Sequence, residues 1–168
     1  MTATCHDGVR VAAEIERKFR VHRVSEVPDA LGEGTRLRQA YLALDGDVEV
    51  RVRDQGGTHV LTVKGGRGMH RTEVEVAIGP DEFDELWDLA PDRRIDKTRR
   101  RIAVGDHTAE VDVYEGPLHG LVVVEVEFAD RDAAEAFDPP SWFGEEVTGD
   151  DRWSNAQLAT SGPPSPSP

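Results

Sequence analysis

One feature constrains the fold of this chain more than any other: polar and apolar residues alternate with a period of two in eight separate segments. The first segment reads AEIERKFRV, in which Glu14, Glu16 and Lys18 fall on alternate positions. Successive side chains of a β-strand point to opposite faces of the sheet. Each segment therefore predicts a strand with one charged face and one mainly apolar face.

The other seven segments follow one another closely along the chain. They read RLRQAYLALD, DVEVRVRDQ, THVLTVKG, HRTEVEVAI, RRIDKTRRRIAV, HTAEVDVYEG and LVVVEVEFAD. Asp45-Gly46 and Gly56-Gly57 are hairpin signals between them. Eight strands joined by short turns predict a mainly β fold, a closed eight-stranded antiparallel barrel. Helical spacing in PDEFDELWDLA, RDAAEAF and DRWSNAQLA adds a few short helices, which we expect to pack outside the barrel.

The chain length of 168 residues fits a single domain. Residues 1–10 show no period and are predicted to form a loose N-terminal segment. Residues 161–168 read SGPPSPSP, which cannot build a packed element and predicts a disordered tail. We therefore expect one folded domain over residues 11–160.

The formal net charge is −13, from 33 acidic and 20 basic side chains. Such a chain is repelled by nucleic acids and anionic membranes, so we expect neither as a partner, and no obligate protein partner is evident. Cys5 is the single cysteine, which excludes a disulfide within the chain and a cysteine zinc site. Without a signal-peptide pattern or a membrane-length apolar run, a cytoplasmic protein is expected.

The charged faces are sorted by sign from strand to strand. Acidic pairs are Glu73 and Glu75, Glu110 and Asp112, and Glu125 and Glu127; basic pairs are Arg51 and Arg53, and Lys97 and Arg99. A solvated outer face explains any one strand. If the faces instead share one lumen, the charges must be paired, hydrated or bound to ligands. Carboxylates suit Mg²⁺ or Mn²⁺, and arginine and lysine suit phosphate, so the pattern indicates a metal–phosphate site.

In order, these motifs resemble those of the CYTH superfamily, the triphosphate tunnel metalloenzymes. EIERKF resembles the ExExK signature, and RQAYL, VRVR, LTVKG, RTEVEV, DKTRR, AEVDVYEG, LVVVEVEF and TGDDRWSNAQLA follow it, over residues 13–159. The resemblance implies an eight-stranded barrel whose charged tunnel binds triphosphate compounds with a divalent metal. The compact chain is most similar to the small bacterial inorganic triphosphatases.

The resemblance also implies roles for individual residues. Lys18 and Tyr41 match a pair implicated in activating water, so they are the expected catalytic residues. The expected phosphate ligands are Lys18, Arg51, Arg53, Lys64, Lys97 and Arg99. The expected metal ligands are Glu14, Glu16, Glu125 and Glu127, with Glu73, Glu75, Glu110 and Asp112 as a second acidic ring. Trp153 stands where the family pattern leads us to expect a tyrosine.

The function expected from these residues is metal-dependent hydrolysis of a small triphosphate, foremost inorganic tripolyphosphate, by in-line attack of water. Hydrolysis of thiamine triphosphate or a nucleoside triphosphate, cyclase-like chemistry on ATP, and non-catalytic binding of polyphosphate stay open. Lys18 acts as a base only if its pKa falls far below the usual value of about 10.4. Otherwise Lys18 remains charged and simply binds phosphate, and Tyr41 also fits a packing role.

Overall fold

The computed structural model describes residues 15–28, 33–66 and 72–164, and in these ranges the chain forms one antiparallel sheet with three short α-helices. The strands are β1 Ile15–Val21, β2 Thr35–Asp45, β3 Val48–Gln55, β4 Thr58–Gly65, β5 Thr72–Ala77, β6 Arg94–Val104, β7 His107–Tyr114, β8 Val122–Phe128 and β9 Glu145–Glu146. The helices are α1 Pro80–Asp88, α2 Arg131–Ala136 and α3 Asn155–Ser161. Short 3₁₀ turns cover Val24–Glu26, Gly116–Leu118, Ser141–Phe143 and Asp151–Trp153.

All eight predicted strands are confirmed, with ends that differ by a few residues at most from the alternating segments. The two-residue strand β9 was not predicted, because two residues carry no measurable period. Helix α3 begins at Asn155 rather than Asp151, because a 3₁₀ turn occupies Asp151–Trp153. Alternation thus located the strands well, whereas it carried no information on such short elements.

The sheet follows the order β5-β4-β3-β2-β6-β7-β8-β1-β9, so β5 and β9 are its edges in the part of the chain that the structure describes. The antiparallel, mainly β fold is confirmed, but the hydrogen-bonded closure into a barrel is not formed there. Part of the β1 edge is occupied, because Phe19 and Arg20 pair with β9. All six residues of β5 are exposed, so no buried core holds this strand against β1.

Each side of the sheet has its own chemistry, and we call them the apolar face and the charged face. The apolar face is covered by α2 and the turn Ser141–Phe143 over β1, β7 and β8, and by α1 over β2, β3 and β4. Its fully buried residues include Phe19, Val52, Phe83, Val124 and Val126. Burying each such side chain contributes roughly 1.5–3 kcal/mol, so this face holds the fold together. The charged face carries the alternate residues of the same strands, among them the predicted site residues.

Helix α3 corrects the expectation that every helix packs outside. Leu158 of α3 and Trp153 before it are buried against Tyr41, Ile95 and Tyr114. These three residues belong to the charged face, as the pairing of Lys97 with Tyr114 places the latter beside a charged neighbour. At this end of the sheet, the residues on the charged face are apolar, and α3 covers them. Alternation gave the face of each residue but not which end of the face would be apolar.

Arg17 lies on the apolar face and fastens the segments beyond β8 to β1. Its guanidinium donates to both carboxylate oxygens of Glu146, at 2.9 and 2.7 Å, and to the carbonyl of Phe137 at 2.8 Å. Gly144 precedes β9 with a φ of 79°, and a Cβ there would lie 2.3 Å from the carbonyl oxygen of Arg20. Glycine is therefore required for this close approach.

The predicted segment 1–10 lies outside the described residues, as does the second half of the predicted tail, residues 165–168. Helix α3 includes Ser161, one residue beyond the predicted domain end. The domain boundaries otherwise stay predictions. Within the described ranges, no helix is long and apolar enough to cross a membrane.

Candidate functional site

A continuous chain of ion pairs crosses β1, β8, β7 and β6 on the charged face. Lys18 Nζ lies 2.9 Å from Glu125 Oε1, and the other oxygen of Glu125 lies 2.9 Å from Arg99 Nη2. Arg99 also donates to both oxygens of Asp112, at 2.7 and 2.6 Å. Lys97 Nζ donates to the same carboxylate at 2.5 Å. We call these five residues the paired network; at its rim Glu110 contacts Arg99 and Arg101.

Burial and charge act against each other in this network. Burial alone would raise the pKa values of Asp112 and Glu125, but the neighbouring cations, Lys97 for Asp112 and Lys18 for Glu125, hold both below their usual range. Burial lowers the pKa of Lys97, and because Arg99 shares Asp112, the carboxylate only partly offsets it. For Arg99, burial also lowers the pKa, but the hydrogen bond to Asp112 and the charges of Asp112, Glu125 and Glu110 together outweigh it, and the net direction is upward. Both carboxylates are therefore ionised at neutral pH.

Cations on β3 and β4 are placed differently. Arg51 is largely buried and contacts Glu49 at 3.0 Å, and Glu73 only at 3.9 Å. Its Nε atom is buried and has no hydrogen-bond partner. Lys64 lies 3.1 Å from the same Glu73, and both side chains are more than 40% exposed. On these strands the carboxylates of Glu49 and Glu73 lie nearer the surface than the guanidinium of Arg51.

Arg53 is the most distinctive cation of the charged face. No carboxylate lies at ion-pair distance from it in the described part of the chain, and its Nε donates instead to Gln39 Oε1 at 2.9 Å. Burial, and then the charge of Arg51, lower the pKa of Arg53. A half-buried guanidinium without a counter-ion is costly, and an incoming anion would relieve that cost.

Gln39 links Arg53 to Tyr41. The amide Nε2 of Gln39 donates to the hydroxyl oxygen of Tyr41 at 2.5 Å. Tyr41 is 1% exposed, and burial, then the charge of Glu49, raise its pKa, so the phenol keeps its proton at any physiological pH. Gln39 escaped the sequence analysis because a neutral amide does not mark a charged face. The available signal was its position two residues before Tyr41, which places both side chains on the same face of β2.

The predicted catalytic pair is not assembled in the described residues. Tyr41 on β2 and Lys18 on β1 are separated in the sheet by β6, β7 and β8, and no hydrogen bond joins their side chains. Both lysines lie in the paired network, but Lys97 is the more buried of the two, and burial lowers its pKa. The Nζ of Lys97 lies 5.3 Å from the ring centroid of Tyr114. The roles of Lys18 and Tyr41 stay predictions, and Lys97 joins the candidates for a base.

Of the predicted metal ligands, Glu14 lies outside the described residues. Glu16 and Glu127 lie directly opposite each other on β1 and β8. Adjacent like charges destabilise a sheet, and a bound cation would relieve this. No cluster of three or more potential ligands occurs within the described ranges. Mg²⁺ often takes only one or two carboxylates besides substrate phosphates, so this pair still fits such an ion.

The second acidic ring is not assembled either, because its members lie in two separate places. Glu110 and Asp112 on β7 are bound to the cations of the paired network. Glu73 and Glu75 lie on the edge strand β5, where Glu75 accepts from Thr62 at 3.2 Å. Each pair therefore lies beside its own cations, and the ring stays a prediction.

Two cavities open on this region. One of about 340 Å³ lies beside Arg53 and is also lined by Gln55, Thr58, Thr62 and Glu75. The other, of about 400 Å³, lies at the free edge of β1 and is lined by Glu16, Lys18, Thr148, Asp150 and others. Both are within the range of small-ligand sites.

At one end of the charged face, a hydrogen bond anchors α3. The hydroxyl of Tyr114 donates to Asn155 Oδ1 at 2.8 Å. Ser154 caps the helix by accepting from the backbone N–H of Gln157 at 3.3 Å. Sequence analysis marked the TGDDRWSNAQLA segment but missed this pair, because a tyrosine and an asparagine 41 positions apart give no local signal.

An antiparallel sheet with a face of interleaved carboxylates, lysines and arginines offers ligands for small polyanions and for cations. Residues 12–146 match the CYTH domain family, and the chain belongs to that family. The resemblance inferred from the motifs is thereby confirmed.

Two similar proteins and one solved structure are described as inorganic triphosphatases. The chain is 45% identical over 152 residues to the inorganic triphosphatase of Nitrosomonas europaea, covering 89% of this chain and 99% of that protein. It is 38% identical over 147 residues to the inorganic triphosphatase of Acetivibrio thermocellus, covering 86% and 92%. The crystal structure of the inorganic triphosphatase NE1496 superposes with a TM-score of 0.76 at 42% identity, covering 91% of this chain and 98% of that one.

Proposed function

We propose that this protein hydrolyses inorganic tripolyphosphate to pyrophosphate and phosphate. The relatives described as inorganic triphosphatases support the activity, and they match nearly the whole chain. The observation that carries the proposal for the site is Arg53, a half-buried guanidinium without a carboxylate partner beside a cavity of about 340 Å³. A small polyanion fits both its charge and the size of the cavity.

The phosphate chain binds first to Arg51 and Arg53, with Lys64 at the more exposed end. Arg51 has an unused Nε donor, and Arg53 gains a counter-ion it otherwise lacks. Guanidinium groups bind phosphate oxygens in a two-pronged manner, which orients the chain as well as holding it. Lys18, Lys97 and Arg99 remain proposed ligands, but a phosphate must compete there with Glu125 and Asp112.

A divalent cation, Mg²⁺ or Mn²⁺, is part of the proposal. Glu16 and Glu127, with Glu14, would hold it, since their oxygen atoms suit a hard cation. Glu125 also belongs to the proposed set, although Lys18 and Arg99 occupy both of its oxygens. When bound, the ion would supply positive charge that offsets the charge of the phosphate chain.

Proton transfer from water falls to a lysine. Lys97 has the environment of a base, because its burial lowers its pKa. Lys18 Nζ lies 2.9 Å from Glu125 and 3.9 Å from Glu16, and we assign Lys18 to phosphate binding. Tyr41 keeps its proton and serves as a hydrogen-bond donor rather than as a base. The guanidinium groups stabilise charge on the phosphoryl oxygens as the bond to the leaving pyrophosphate breaks.

Phosphate release from a panel of substrates tests the proposal. Tripolyphosphate, pyrophosphate, ATP and thiamine triphosphate are each incubated with Mg²⁺, Mn²⁺ or a chelator. We expect the highest kcat/KM for tripolyphosphate, and loss of release with the chelator. Preference for ATP or thiamine triphosphate would replace the substrate assignment with an organic triphosphate. Binding of tripolyphosphate without release under any condition would instead leave a polyphosphate-binding module.

A matched pair of lysine variants separates the roles within the site. Lys97→Met is expected to lower kcat, whereas Lys18→Met is expected to raise KM with a smaller change in kcat. The reverse result would return the base role to Lys18.

The proposal includes a small triphosphate as the sole partner, no nucleic acid or membrane, and a cytoplasmic location.

A further inference from the structure

We propose that Gln39 is a positioning residue that fixes the hydroxyl of Tyr41 as a hydrogen-bond donor directed away from Gln39 toward the bound phosphate chain. This inference rests on the proposed function for the identity of the acceptor. The orientation of the amide itself rests only on the contacts of the ligand-free protein.

The first step concerns which end of the amide faces which neighbour. An arginine Nε can only donate, so the Gln39 atom 2.9 Å from Arg53 Nε must be the carbonyl oxygen. The amide nitrogen then faces Tyr41, and it can only donate. Arg53 thereby removes the ambiguity that a glutamine side chain otherwise has between its two ends.

The second step concerns the hydroxyl. Gln39 Nε2 donates to the Tyr41 oxygen at 2.5 Å, so that contact takes up an acceptor position and not the phenolic hydrogen. A phenol hydrogen prefers the plane of its ring and has two positions there. Gln39 excludes the position on its own side. Among the described residues, no acceptor is recorded for the hydrogen in the other position.

The third step concerns what the hydrogen meets. The charges that act on the Tyr41 hydroxyl are those of Glu49, Arg51 and Arg53. Glu49 contacts Arg51 through Oε1 at 3.0 Å, and among the described residues no hydrogen bond joins Glu49 to Tyr41. The anion-attracting groups near the hydroxyl are the two guanidinium groups. A phosphate oxygen held by Arg51 and Arg53 is therefore the acceptor available to Tyr41. Burial raises the pKa of Tyr41, so the hydrogen is present at neutral pH.

Gln39→Glu is the sharpest variant, because it keeps the shape of the side chain and replaces the donor by an acceptor. One carboxylate oxygen still accepts from Arg53, and the other accepts the hydrogen of Tyr41. The hydroxyl is then turned back into the protein and lost to the phosphate. Gln39→Met removes both contacts, and it serves as the second variant should the added charge prevent folding.

Tyrosine carbon NMR reads the hydroxyl without any need for turnover. The chain contains two tyrosines, so Tyr114→Phe assigns the two Cζ signals. In the wild type we expect the Tyr41 signal to shift when inorganic tripolyphosphate is added with EDTA. In Gln39→Glu the ligand-free signal moves downfield, because the phenol donates to a carboxylate, and the ligand-induced shift is lost. Gln157→Glu, which adds the same charge on exposed α3, is the matched control and leaves the signal unchanged.

Kinetics with Tyr41→Phe complete the test. In the wild-type background this substitution is expected to lower kcat by about 100-fold, the scale of one lost donor to a transition state. In the Gln39→Glu or Gln39→Met background it should cost less than about twofold, because the donor is already misdirected. Equal losses in all backgrounds, or an unchanged Tyr41 signal in Gln39→Glu, would overturn the inference. If tripolyphosphate neither binds nor reacts, the proposed function fails, while the ligand-free signal still decides the role of Gln39.

Discussion

The two halves of the charged face differ in how their buried charges are balanced. In the half formed by β6, β7, β8 and β1, Asp112 is fully buried between Lys97 and Arg99, and Glu125 is nearly so. In the half formed by β2 to β5, the cation Arg53 is inside, whereas the carboxylates of β5 are exposed. In the first half the buried charges are paired with one another. In the second half Arg53 has no carboxylate at ion-pair distance among the described residues.

This difference separates residues that hold the protein together from residues that await a ligand. A buried ion pair contributes little net stability, but breaking it is expensive. An unpaired buried cation lowers the stability of the free protein, and binding of an anion offsets that cost. The same residue types, on the same face of the same sheet, therefore serve different purposes according to their neighbours.

We expect the largest effect from Asp112→Asn, which lies in the half of the charged face that contains the paired network. It leaves Lys97 buried without its carboxylate and deprives Arg99 of its main acceptor. The free energy of unfolding should fall by about 3–5 kcal/mol, measured by urea denaturation. Unchanged stability would mean that the network is not a structural unit.

Arg53→Met tests the other half in the opposite way. With no carboxylate to leave behind, the substitution should change stability by less than about 1 kcal/mol. The kcat/KM for tripolyphosphate should instead fall by about 100-fold, through loss of a charged contact to the phosphate chain. Steady-state kinetics and urea denaturation on the same preparation separate the two effects. A loss of stability comparable with that of Asp112→Asn would erase the distinction between the halves.

Lowering the pH tests the comparison between the two halves without any mutation. The pKa values of Asp112 and Glu125 are lower in the folded than in the unfolded protein, so the unfolded state binds protons first as the pH falls. Stability is complete above the unfolded values of about 4 and is lost as the pH falls below them toward the folded values. Urea denaturation between pH 7 and about 3 should show this decline. Relative to its own value at pH 7, Asp112→Asn should decline less, and a steeper decline would contradict the assignment.

The smallest effect is expected at Arg101, at the rim of the paired network. Its side chain is 69% exposed and lies 2.8 Å from Glu110. Exposed ion pairs contribute less than about 1 kcal/mol, so Arg101→Met should change both stability and kcat/KM only slightly. It is the matched control for Arg53→Met, with the same substitution on the same face. A large loss of activity in Arg101→Met would mean that the phosphate site extends across the sheet to β6.

Much of this architecture could be predicted from the sequence. Alternation fixed the strands and the face of every charged residue, because the period of two is a local property of the backbone. The family followed from the order of the charged motifs, and the match to the CYTH domain confirms it. The pairing of Lys18 with Glu125 and of Lys97 with Asp112 is a matter of which strands become neighbours, which parity does not specify.

Other features were beyond the sequence for physical reasons. In the described residues β1 and β5 are not hydrogen-bonded to each other, so the closure expected for the barrel is not formed there. No local pattern encodes contacts between these two strands. Gln39 was overlooked because its importance comes from the orientation that Arg53 imposes on a neutral side chain. The role of Arg17 has no local signal, because only the folded chain brings Glu146 to it.

The central claim is that the phosphate chain binds to the half of the charged face whose cation lacks a carboxylate. The most direct test follows the Nε–H signals of the arginine side chains by NMR while inorganic tripolyphosphate is added in the presence of EDTA. We predict a large shift of the Arg53 signal at low ligand concentration, with little change at Arg99, which Asp112 already holds. A shift at Arg99 with none at Arg53 would contradict the account.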